Sequence, residues 1–152
     1  MKPKLVLDTN VYVAAMLGGR GALKLLHLWR LKRFEVYTSK KQIEELYITV
    51  EKHLQGPKAR RIITAEVPED MLYLLSARAE LLPVRRVSKL SRDRDDDWII
   101  AIALKSDYLV SENTQDVNIQ ALPQSANTKM LTIAQAVRLF KESEPSHRNR
   151  SG

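Results

Sequence analysis

The stretch "RDRDDDWIIAIAL" places Asp93, Asp95, Asp96 and Asp97 directly ahead of seven apolar residues. More acids stand just beyond other short apolar runs: Asp8 after "KLVL", Glu44 and Glu45 after "FEVYT", and Glu112 and Asp116 after "DYLVS". Carboxylates that share a site repel one another, and ionising all of them is costly without a cation. A hard divalent ion such as magnesium or manganese, which takes oxygen ligands, removes that cost. An ion held in this way activates water and stabilises charge on a phosphoryl group. In a basic chain, the chemistry this pattern points to is phosphodiester hydrolysis. Each acid also has a plainer role open to it, as a helix cap, a dipole partner or a solvated surface charge.

For the acids to act together, the fold must bring them to one rim, and the spacing of apolar residues says how. "KLVL" reads as a short buried strand ending at Asp8, followed by a helix that stops at the loop signal Gly18-Gly19-Arg20-Gly21. Ala22, Leu25, Leu26 and Trp29 have helical spacing, and "FEVYTS" alternates as a strand does. Ser39 and Gln42 form an S-x-x-Q capping box ahead of a helix whose apolar side carries Ile43, Leu46, Tyr47, Val50 and Leu54. Pro68 suits the first turn of a helix over "EDMLYLLSARAELL", and "PVRRV" reads as a strand. "WIIAIAL" fits a buried strand or a helix; Ala101 and Ala103, with the aspartates ahead of them, favour the helix. "DYLVS" and "TKMLT" are strands, and Thr132 with Gln135 caps a last helix over "TIAQAVRLFKES". Strands alternating with helices predict an α/β domain with a mostly parallel sheet covered by helices. In such sheets ligands bind beyond the carboxyl ends of the strands, which is where these acids fall.

The chain has 152 residues and a formal net charge of +7, suited to one soluble domain with a polyanionic partner such as RNA or DNA. It has no cysteine, which excludes disulfides, thiolate metal sites and thiol catalysis and fits a reducing cytoplasm. No apolar run approaches the roughly 20 residues of a membrane span. The N-terminus lacks the apolar stretch of a signal peptide, so a cytoplasmic location is expected. The domain is expected over residues 1–140, with 141–152 as a disordered polar tail.

The stretches "LVLDTNVYVAAMLGG", "FEVYTSKKQIEEL", "SRDRDDDWIIAIAL" and "DYLVSENTQDV" resemble, in order and spacing, the four acidic motifs of PIN-domain ribonucleases. Their order and spacing are similar to those of the branch associated with type II toxin–antitoxin modules. The resemblance spans residues 4–137. It implies a three-layer α/β/α sandwich with a central parallel sheet, and cleavage of single-stranded RNA dependent on Mg2+ or Mn2+. By position it places the first catalytic and metal-binding acid on Asp8, with Asn10 supporting the turn beside it. The family glutamate precedes a leucine, which puts it on Glu45, although a helical wheel drawn from Ile43 sets Glu44 nearer the apolar face. The third acid falls on Asp97, with Asp95 in support, and the fourth on Asp116. Asn113 stands where many relatives carry aspartate, and Arg94 where proline is usual. Lys40, Lys41, Arg92 and Arg94 flank the acidic motifs and are the expected phosphate contacts. The partners implied are single-stranded RNA, a cognate antitoxin and a second copy of the chain. The competing reading is a catalytically silent PIN domain acting as an RNA-binding or protein-interaction module.

Overall fold

A computed structural model describes residues 2–55, 66–83, 97–112 and 127–142. Strands β1 (Lys4–Leu7), β2 (Glu35–Thr38), β3 (Glu80–Leu81), β4 (Tyr108–Val110) and β5 (Lys129–Leu131) form one sheet in the order β3-β2-β1-β4-β5, parallel throughout. The helices are α1 (Thr9–Met16), α2 (Arg20–Arg30), α3 (Lys40–Gln55), α4 (Glu66–Ala77), α5 (Asp97–Ala103) and α6 (Ile133–Glu142).

Side chains alternate across the strands and so feed two cores. Leu5, Leu7, Val36 and Val110 face one side, where they meet Tyr12, Trp29, Leu46, Met71 and Phe140 from the helices. Val6 and Leu109 face the other, against Ile99, Ile100 and Ile102 of α5. Apolar residues on both faces explain why β1 and β4 read as nearly continuous hydrophobic runs. The result is the expected three-layer α/β/α sandwich. It also resolves the ambiguity of "WIIAIAL", which is helical at Asp97–Ala103.

Helix ends depart from the sequence reading in two places. The glycine run is not one long loop, because α2 already begins at Arg20. Gly18, at φ 91°, donates to the Ala15 carbonyl and Gly19 to that of Ala14, the paired bonds that stop a helix with a left-handed residue. The helix over "EDMLYLLSARAELL" ends at Ala77, and Glu80–Leu81 instead pairs with β2 as a short edge strand. In "PVRRV", Pro83 lies outside any strand, and 84–87 fall outside the described residues.

α2 ends by the same bond pattern as α1, with Lys32 donating to Trp29 and Arg33 to Leu28, but the left-handed position belongs to Lys32, at φ 62°. That conformation costs a side-chain-bearing residue about 1–2 kcal/mol, and glycine gives part of this back through its larger unfolded-state entropy. Lys32→Gly should therefore raise the unfolding free energy by roughly 0.5–1 kcal/mol, measured by denaturant titration.

Candidate active site at the carboxyl edge

From β1 the chain builds outward through β2 and β3, then returns to the other side of β1 for β4 and β5. Connections leave the carboxyl ends of β1 and β4 in opposite directions, and such a switch point opens a crevice above the two strands. Asp8 follows β1 directly and Ser111 follows β4.

The backbone N–H of Asp8 donates to the Val110 carbonyl at 2.8 Å, which carries the sheet pairing one step past β1. Its side chain is the N-cap of α1, with Oδ1 accepting the Thr9 N–H at 2.7 Å. The plain role of a helix cap is thus filled, and it orients the carboxylate. The other oxygen, Oδ2, accepts the hydroxyl of fully buried Ser111 at 2.9 Å. Asn10 braces the far side: its Oδ1 accepts the Glu112 N–H at 3.2 Å, and its Nδ2 lies a long 3.4 Å from Ser111 Oγ. A half-buried carboxylate is therefore held by groups from the ends of two adjacent strands. Within α1 the Thr9 and Tyr12 hydroxyls are buried with no hydrogen-bond partner among the described residues, and burial pushes the Tyr12 phenol well above its ordinary range.

α3 is anchored to the same place. Ser39 Oγ accepts the Gln42 N–H at 3.2 Å, one arm of the expected capping box. The Gln42 side chain turns to the sheet instead. It is 0% exposed; Oε1 accepts the Thr38 hydroxyl at 2.6 Å and Nε2 donates to the Leu7 carbonyl at 2.6 Å. The first turn of α3 is thereby fixed to the residue preceding Asp8. Glu45, three residues on from Gln42, shares its helix face and is half-buried, whereas Glu44 is exposed. The inward arc runs through Gln42, Leu46 and Val50; Tyr47, expected on it, is 51% exposed. A buried glutamine is invisible to a hydrophobic pattern, which is why a wheel centred on Ile43 is rotated.

Lys40 and Lys41 are exposed in the first turn of α3. Asp97 is the first residue of α5, whose last residue, Ala103, accepts the hydroxyl of Thr128 just ahead of β5. α5 thus runs against the strands, with its first residue toward the carboxyl edge. Arg92, Asp93, Arg94, Asp95, Asp96, Asn113 and Asp116 lie outside the described residues. Among the described residues, no group of three or more His, Cys, Asp or Glu converges in a way that could hold a metal ion. The donors assembled around Asp8 are carboxylate, hydroxyl and amide oxygens, with no thiolate in the chain, and this chemistry suits a hard divalent cation. Among the described residues no helix is long and apolar enough to cross a membrane.

The sequence matches the PIN domain family over residues 4–115, and the chain belongs to that family. PIN domains are in general nucleases that act on RNA and use divalent metals. The matched span covers β1 through β4, with both halves of the crevice, and stops just before Asp116. No curated protein and no solved structure matches the chain.

Gln42→Leu keeps the buried volume close while removing both side-chain bonds. It should cost about 1–3 kcal/mol of stability, because buried polar groups on β1 and β2 lose their partner. Chemical denaturation of the two proteins measures this.

Proposed function

We propose that this PIN domain is a metal-dependent endoribonuclease cleaving single-stranded RNA, and that it serves as the toxin of a type II toxin–antitoxin module. The observation that carries the nuclease reading is the carboxylate of Asp8, fixed by Thr9 and Ser111 in the crevice between β1 and β4 of a PIN-family chain. The toxin assignment rests on the order and spacing of the four acidic motifs. In this reading Asp8, Glu45 and Asp97 hold Mg2+ or Mn2+, and Asp116 completes the acidic set. A divalent ion held there lowers the pKa of a water nucleophile and offsets charge on the phosphoryl oxygens. The chain's own groups supply position. Ser111 and Thr9 hold the Asp8 carboxylate in one orientation, and Asn10 steadies the Ser111–Glu112 turn. Asn113 and Asp95 support the neighbouring acids. Lys40, Lys41, Arg92 and Arg94 take the phosphates on either side of the scissile bond. A cognate antitoxin blocks the crevice, and a second copy of the chain is the remaining protein partner.

Purified protein should cleave single-stranded RNA with magnesium or manganese and lose all cleavage in a chelator. Asp97→Asn, which nearly preserves shape and removes one charge, should abolish cleavage while leaving the metal-free protein at least as stable as the parent. Magnesium should raise the melting temperature of the parent, since a ligand that binds only the folded state stabilises it by mass action. The variant should lose most of that rise. If Asp97 were only a dipole partner, its loss would cost roughly 0.3–1 kcal/mol and leave the magnesium response intact. Absence of cleavage across varied RNAs with either metal would establish the silent-module reading instead.

A further inference from the structure

Because every strand of the sheet is parallel, the residues that lead into all five strands lie along one edge, opposite the crevice. A cation leads into each strand. Lys2 precedes β1, Lys32 and Arg33 precede β2, Arg78 precedes β3, Lys105 precedes β4, and Lys129 opens β5. Three acids share this edge, and two of them are engaged: Glu35 pairs with Lys4, and Asp107 accepts the Lys4 N–H at 2.8 Å. Between the starts of β1, β4 and β5 lies an open depression of about 560 Å³, lined by Lys2, Lys4, Tyr108, Asn127 and Lys129 together with Asp107. Lys2 and Lys129 are exposed and make no ion pair among the described residues.

The backbone beneath these lysines is laced together. Glu35 N–H donates to Pro3, Asp107 N–H to Lys4, and Lys129 N–H to Asp107, at 2.8–3.0 Å. Buried Thr128 fixes the approach to β5 by donating to the Ala103 and Ser106 carbonyls. The charges therefore stand on a rigid scaffold, in a row roughly 20 Å long if neighbouring strands are ~4.8 Å apart. A row of cations on a fixed backbone over an open hollow suits an extended chain of phosphates.

We propose that the amino edge of the sheet is a second nucleic-acid site, which binds the phosphate backbone of single-stranded RNA at a distance from the cleavage crevice. The proposal rests on the ribonuclease reading and extends it: long substrates are held by two edges of the sheet, short ones by the crevice alone.

The test uses full-length protein and labelled oligouridylates of about 4 and about 16 nucleotides, spanning the range of single-strand site sizes. Binding is followed by fluorescence anisotropy in chelator across a salt series. Lys2→Glu with Lys129→Glu should weaken the long oligomer about tenfold, and should reduce its log–log salt slope by about 1.4, the value for two lost phosphate contacts on a single strand. Magnesium-dependent cleavage of the short oligomer should stay at the parent rate. Lys24→Glu with Lys141→Glu, an equal charge change on the exposed sides of α2 and α6, should leave long-oligomer binding within about twofold. Equal weakening by both pairs would assign the effect to net charge and overturn the site, as would no weakening by the first pair. A parent protein that cleaves the short oligomer while either result holds retains the nuclease reading without this site. A parent that neither binds nor cleaves RNA overturns both.

Discussion

The side-chain amide of Gln42 is the point on which the carboxyl edge depends. It spans three elements with two short bonds, one to the carbonyl of Leu7 and one to the hydroxyl of Thr38, from the first turn of α3. A buried amide left without partners would be costly, so the geometry that satisfies it is strongly preferred. That geometry sets how α3 is rotated, and with it which of two adjacent glutamates turns inward. It also fixes the peptide preceding Asp8, so α3, β1 and β2 cannot shift independently near the crevice.

The same parallel sheet separates charge by edge. At the amino edge a cation leads into each strand, outnumbering Glu35, Glu80 and Asp107 there, while Asp8 and Glu112 follow β1 and β4 at the other edge. A uniform positive surface would draw a polyanion equally to every face. Among the described residues near the crevice, Lys40 and Lys41 are exposed cations.

Much of this was legible in the sequence, for physical reasons that differ by element. β1 and β4 are short apolar runs buried on both faces, too short for a helix, and β2 shows the alternation of a strand. Thr132 and Gln135 form the full reciprocal box, with Gln135 Oε1 accepting the Thr132 N–H at 2.9 Å and Thr132 Oγ1 accepting that of Gln135 at 3.1 Å. Ser39 and Gln42 carry the same local signature, yet there the glutamine serves a contact 35 residues away, which no local rule can see. Asp8 could be placed at a strand end from the sequence, but the Ser111 hydroxyl that holds it follows a strand far along the chain. The two-residue β3 was hidden because "AELL" continues a helical pattern; pairing with β2, a tertiary interaction, overrides it.

Asp8 and Ser111 are 103 residues apart, and β1, the first strand made, is the centre of the sheet. At about 5–20 residues per second, a ribosome needs roughly 5–20 s to extend the chain from one to the other. Throughout that interval the nascent chain carries the aspartate but not the hydroxyl or the neighbouring strand that fix it. The crevice comes into being only when β4 is added, so a prematurely terminated product lacking β4 has the first acid and no site. A PIN domain, in general a nuclease acting on RNA, is itself translated from RNA, and this order of assembly keeps the crevice incomplete until β4 has been made.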